Sequence, residues 1–229
     1  MDTLPPFEGF TPQSLRFFAA LKRNNNRAWF NVHKQQYMDL VFRPAQSFVA
    51  DMAPVLGRIF PGIVADPAPG GSIFRIHRDT RFSADKQPYK THLGVLFWQS
   101  GGRKMERPGF YFELDDRGVR LYYGWYIFPP DLLRRYRQAV ADDKTGLELV
   151  RAKKAVERSG IAVGGQFYKR IPRDHPVDES RADLMRHNTL YTEQDCGRPR
   201  ELFSRSLIPY AARRWNKCMP VYRWVQQIL

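Results

Sequence analysis

The hydrophobic period of this chain changes from 3.6 to 2 at the turn-forming segment 66–71, DPAPGG, and that change separates a helical N-terminal part from the start of a sheet. Before it, apolar side chains recur at helical spacing. Leu15, Phe18 and Leu21 mark one face, Trp29, His33, Tyr37 and Val41 recur four apart, and Phe48, Val49, Met52, Leu56 and Ile59 carry a third run up to Pro61 and Gly62. Thr11 followed by Pro12 is a helix start, a hydroxyl at the N-cap and then a proline whose missing N–H is harmless in the first turn. The run Asn24, Asn25, Asn26 ends that helix, because Asn tolerates left-handed backbone at a C-terminal cap, and Pro44 breaks or restarts the next one. The first sixty residues are predicted to be helical.

After the turn the period is two, and aromatic and β-branched residues dominate. Candidate strands are Ser72 to His77, Leu93 to Trp98, Phe110 to Leu114 and Val119 to Tyr126, with Asp115 to Gly118 joining the last two as an antiparallel hairpin. Pro129, Pro130 and Asp131 introduce a helix with Leu132, Leu133, Tyr136 and Val140 inward, and Thr145 with Glu148 reads as the capping box of another. Ile161 to Ile171 is a further strand candidate. Short helices are expected around Leu184 and from Pro199, where Leu202, Phe203 and Leu207 face inward. No connector has the composition of an interdomain linker. The prediction is a single α+β domain over residues 1–229, with a helical N-terminal segment, a central antiparallel sheet and C-terminal helices.

A composition that is 43% hydrophobic and 14% aromatic excludes global disorder. No run approaches the roughly 18 apolar residues a membrane helix needs. The start MDTLPPFEGF lacks a basic and then apolar leader, so a soluble, cytoplasmic protein with no membrane partner is expected. Cys196 and Cys218 are neither CxxC-spaced nor flanked by a histidine pattern; both are read as reduced and structural, and no metal is assigned. The net charge of +14 creates a positive potential that favours polyanions, nucleic acid first among them. The basic residues are nevertheless spread along the chain without a nucleic-acid-binding signature, so a phosphorylated small molecule is the competing partner. Glycine-rich phosphate loops of the GxGxxG or GxxxxGK[ST] type are absent.

Charge is densest from Ser72 to His92, SIFRIHRDTRFSADKQPYKTH, between two apolar strand candidates. Arg75, Arg78, Arg81, Lys86 and Lys90 are the anion-binding candidates, because clustered guanidinium and ammonium donors suit phosphate or carboxylate. His77, Asp79 and His92 are the catalytic candidates: an imidazole for acid/base work and a carboxylate to hold its tautomer or to orient a neighbouring arginine. Tyr89 and Phe82 are expected to anchor the loop. The competing reading pairs Arg78 with Asp79 and Lys86 with Asp85 on a solvated loop that carries no function. A metal set of His77, Asp79, Asp85 and His92 has suitable ligand types but matches no established spacing. Lys169, Arg170 and His175 form a second basic patch, read either as closing over the first site or as a surface turn. His33, between Trp29 and Tyr37, is read as packed, and the stripe Tyr111, Tyr122, Tyr123, Trp125 and Tyr126 as core or cross-strand pairs before base stacking.

The segment Arg78 to Thr91, RDTRFSADKQPYKT, resembles the hallmark of the family called domain of unknown function 2461, RDTRFSxDKxPYKT. NNxxWFxxHKxxY over Asn25 to Tyr37, KRIP over Lys169 to Pro172 and DHP over Asp174 to Pro176 are similar too, so the resemblance covers nearly the whole chain. It departs at Ala84, where relatives often carry a basic residue, and in a short spacing from KRIP to DHP. The resemblance implies no established reaction, and the cofactor is left unknown. Three classes therefore stay open: a module binding an anionic ligand or nucleic acid, an enzyme of phosphoryl or phosphodiester type using a His/Asp pair, and a structural or interaction protein.

Overall fold

Thr11 and Pro12 start the first helix as the sequence predicts: α1 spans Pro12–Arg23, with the Ser14 hydroxyl accepting the Thr11 N–H at 3.1 Å. The computed structural model describes residues 4–171 and 177–229. The asparagine run does more than end α1. Asn24 is its C-cap, at φ −127° and not in the left-handed backbone expected of it, while Asn26 caps the next helix, α2 (Arg27–Tyr37), by accepting the Trp29 N–H at 2.9 Å. That helix continues through a π-helical turn, Met38–Phe42, into α3 (Arg43–Ile59), so Pro44 sits harmlessly in the first turn of α3.

The fold is α+β, with helices at both ends of the chain and a six-stranded antiparallel sheet. The strands are β1 (Ile63–Val64), β2 (Leu93–Gln99), β3 (Gly109–Leu114), β4 (Val119–Gly124), β5 (Ala162–Gln166) and β6 (His187–Gly197), in the order β1-β2-β3-β4-β6-β5. β3 and β4 form the expected hairpin, closed by Asp115 N–H to Gly118 O at 3.0 Å. Gly118 has φ +138°, and a Cβ there would stand 1.8 Å from Gly197 O, so only glycine fits this turn. The remaining helices are α4 (Pro130–Ala141), α5 (Asp143–Glu157), α6 (Glu179–Ala182), α7 (Leu207–Asn216) and α8 (Met219–Ile228).

Four expectations change, the first being that Phe203, expected to face inward beside Leu202 and Leu207, is exposed. Ser72 to His77 is not a full strand: only Ile73 and His77 form isolated antiparallel bridges. The strand expected over Ile161 to Ile171 is limited to β5, and its antiparallel neighbour β6, eleven residues long, was not foreseen. The cap of α5 is Asp142, which accepts the Thr145 N–H at 2.8 Å, so Thr145 lies inside the helix. No helix among the described residues is long and apolar enough to cross a membrane.

Contacts gather the chain into two compact units. The first comprises Met1–Phe97, Tyr111–Leu121 and Asp195–Ala212. Its core is aromatic: the Phe48 and Phe112 rings lie 4.7 Å apart and Phe10 stacks on Phe112 at 5.8 Å. The second comprises Trp98–Phe110, Tyr122–Gln194 and Arg213–Leu229, with Phe110 4.7 Å from Tyr123 and 5.5 Å from Trp215. Alternation along the hairpin is clean. Phe112, Leu114, Val119 and Leu121 are buried, whereas Tyr111, Glu113 and Arg120 are half-buried on the opposite face. That second, polar face carries the candidate site of the first unit.

Candidate functional site

Extended backbone after the DPAPGG turn meets two partners in succession. Phe74 N–H donates to Gly94 O at 2.9 Å and Leu96 N–H to Ser72 O at 2.9 Å; then Lys90 N–H donates to Ile76 O at 2.8 Å and Arg78 N–H to Pro88 O at 2.9 Å. The chain thus leaves at Arg78 and returns at Pro88, with a charged loop between. Its base is clamped by Asn25, whose side chain accepts the Tyr89 N–H at 3.1 Å and donates to Tyr89 O at 2.9 Å, as a neighbouring strand would. The buried Tyr89 ring stacks on Phe30 at 4.1 Å, and His77, opposite Tyr89, lies 5.1 Å from it. Tyr89 anchors the loop as predicted. His33 stacks on Trp29 at 3.9 Å with Nδ1 2.8 Å from Trp29 O, in keeping with a packed histidine.

Inside the loop the charges satisfy one another. Arg81 grips Asp79 with two bonds, Nε to Oδ1 at 3.0 Å and Nη2 to Oδ2 at 2.7 Å, and this pairing holds the Asp79 carboxyl below its usual range. Arg78 Nη1 meets Asp85 Oδ2 at 2.5 Å and donates to Gln87 O at 3.2 Å. Asp85 also accepts the Gln87 N–H, the main reason its carboxyl lies low. Lys86 Nζ donates to Thr80 O at 3.0 Å. The pairing is intraloop, as the competing sequence reading has it, but the partners are 78 with 85 and 79 with 81.

Arg75 and Lys90 are different. Among the described residues no carboxylate lies within ion-pair distance of either. The Lys90 ammonium stands 5.0 Å from the Phe74 ring centroid, half-buried, and burial first and the Arg75 charge second lower its pKa. Asp79, already gripped by Arg81, is close enough to Arg75 to feel its charge but forms no ion pair with it.

His92 lies beside this pair. Its Nε2 is 3.9 Å from Glu113 Oε2, and Arg120 bridges Glu113 and Asp115, meeting Asp115 Oδ2 at 2.8 Å. Burial lowers the His92 pKa; Glu113 and Asp115 oppose that, while Lys90 and Arg120 add to it. The structure therefore groups Arg75, Lys90, His92, Glu113 and Arg120, and leaves Arg78, Asp79, Arg81 and Lys86 to shape the loop. Asp79 orients Arg81, one of its two expected roles. Asn25, Glu113 and Arg120 escaped the sequence reading: Glu113 and Arg120 carried a detectable signal, alternating outward on a hairpin, whereas Asn25 looked like a cap.

The other candidates lie elsewhere. Phe82, an expected anchor, is instead 96% exposed. Tyr123 and Trp125 are core residues, Tyr111 and Tyr122 are half-buried, and Tyr126 is exposed. Lys169 and Arg170 are exposed in the second unit, and His175 lies outside the described residues. Among the described residues no three His, Cys, Asp or Glu side chains gather to hold a metal ion, which removes the set His77, Asp79, Asp85 and His92.

A family model described as "Conserved hypothetical protein (DUF2461)" matches residues 13–224. Comparison with curated proteins and with solved structures yields no match.

Proposed function

The chain belongs to the DUF2461 family, a description that carries no reaction, and from that premise we propose that it binds an anionic, phosphate-bearing group between Arg75 and Lys90. One observation carries the reading: Lys90, half-buried over an aromatic ring, and Arg75, close enough for its charge to act on Lys90, have no ion-paired carboxylate among the described residues, whereas Arg78 and Arg81 of the same loop are each ion-paired. A phosphate oxygen taken between them forms charge-assisted hydrogen bonds and offsets the burial and, second to it, the Arg75 repulsion that lower the Lys90 pKa. Arg78, Arg81 and Lys86 serve this site indirectly, by fixing the loop that leads back to Lys90. Two reduced thiols, Cys196 and Cys218, support a reducing, cytoplasmic setting.

An enzymatic reading rests on His92. A neutral imidazole with Glu113 3.9 Å from Nε2, and with Glu113 itself held by Arg120, has the makings of a general base beside a bound phosphate. Here Glu113 takes the role that sequence reasoning gave to Asp79.

The test follows the Lys90 side chain by NMR while inorganic pyrophosphate is added. Binding at this site raises the Lys90 pKa and shifts its ε resonances in the wild type, and Arg75→Gln weakens the pyrophosphate response at least about tenfold, the loss expected for one charge-assisted contact. A Lys90 resonance indifferent to pyrophosphate overturns the reading.

A further inference from the structure

The tip of the 78–88 loop displays an aromatic ring to solvent. Phe82 is 96% exposed, the only large hydrophobic side chain exposed in that loop among the described residues, so it forfeits the stabilisation its burial would bring. The loop does not need the ring to keep its shape. Arg78 with Asp85, Arg81 with Asp79, Lys86 with Thr80 O and the Asn25 clamp at its base already set its course. Beside the ring stands a cation, the Arg81 guanidinium carbon 5.7 Å from the ring centroid.

The surroundings select the partner. From Arg75 to Lys90 the chain carries five Lys and Arg side chains against two carboxylates, both gripped by arginines, in a chain of net charge +14. One ring among cations is too little apolar area for a protein interface and matches a ligand that repeats a flat π-face and a phosphate. In a duplex the bases are stacked away, which leaves the single strand.

We propose that Phe82 is a stacking platform for a nucleobase and that the anion taken at Arg75 and Lys90 is the backbone phosphate of single-stranded nucleic acid. This rests on the anion-binding reading above and names its ligand class.

The experiment measures fluorescence anisotropy with two labelled oligomers of equal backbone charge, an oligothymidylate of about twelve nucleotides and its abasic counterpart. The wild type binds the thymidylate about tenfold more tightly than the abasic strand, the size expected of one stacked base. Phe82→Ala erases the preference and leaves the abasic affinity unchanged, while Phe82→Trp keeps it. Equal binding of the two strands by the wild type, or a preference that survives Phe82→Ala, overturns the proposal. Binding of pyrophosphate without either strand overturns it too and leaves the anion reading standing. Phe82-dependent capture on anionic vesicles without a base preference assigns the ring to a membrane and overturns it as well. If Arg75→Gln with Lys90→Gln retains full abasic affinity, the anion reading falls and this inference falls with it.

Discussion

Removing the Asn25 side chain tests whether one asparagine holds the loop in place. Asn25→Ala deletes the acceptor of the Tyr89 N–H and the donor to Tyr89 O, both part-buried, and a weaker contact to Gln87 Oε1 at 3.3 Å. Each side-chain-to-backbone bond is worth about 1 kcal/mol, and backbone groups left partly shielded from water add to the loss, so the cost is about 2–3 kcal/mol. For a chain of this size 1 kcal/mol moves the Tm by roughly 2–4 °C, which gives a fall of about 5–10 °C. The control is Asn26→Ala, which removes a single helix cap and costs about 1 kcal/mol. Urea denaturation and thermal melts of the two variants, read beside the wild type, make the comparison. An Asn25→Ala cost no larger than that of Asn26→Ala refutes the clamp. Because Tyr89 precedes Lys90, the same variant also weakens pyrophosphate binding, which Asn26→Ala leaves intact.

Other consequences concern protons and buried charge. Burial holds His187 at a pKa of about 4 against an ordinary 6.5, so the unfolded chain takes up a proton that the fold refuses between those values. Stability is therefore full above pH 6.5 and falls as the pH drops toward 4, by up to about 3 kcal/mol. His187→Gln flattens that slope in urea midpoints measured across pH, and an unchanged slope contradicts the assignment. In His92, NMR titration gives a midpoint below 6.5; Lys90→Gln moves it up and Glu113→Gln moves it down, and shifts in one common direction refute the charge arrangement. Arg181, buried, donates to Val140 O, Ala141 O, Asp143 and Asp178, so Arg181→Ala costs about 2–4 kcal/mol in denaturant titration and Arg181→Lys fails to restore it. Full rescue by lysine would show that only the charge matters.

The helical N-terminal segment and the β3–β4 hairpin were legible because their hydrophobic periods are unbroken and their punctuation, Thr11 with Pro12 and Asp115 to Gly118, has a direct backbone cause. β6 was not. Its inward positions include His187, Thr189, Thr192 and Gln194, polar side chains that hydropathy reads as surface. Three of them find partners distant in sequence, Thr189 with Trp125 O at 2.5 Å, Thr192 with Cys218 Sγ at 3.1 Å and Gln194 with Arg214 O at 3.2 Å, whereas the buried Nδ1 of His187 has none among the described residues. The site was legible as a region and not as a pairing. Sequence density picks out Arg75 to Lys90, but which cations keep a counterion depends on a fold that turns Asp79 onto Arg81 and Asp85 onto Arg78. Glu113 and Arg120 reach His92 from a hairpin more than twenty residues downstream, a distance no local pattern spans.

Arg75 and Lys90, not the cations held inside the loop by Asp79 and the Thr80 carbonyl, take the anion. Calorimetric titration of inorganic pyrophosphate compares two variants that each lose two positive charges, Arg75→Gln with Lys90→Gln and Arg81→Gln with Lys86→Gln. Binding abolished in the first and retained within about threefold in the second, a change under 1 kcal/mol, is the predicted result. Equal losses in both, or a loss confined to the second, contradicts the account.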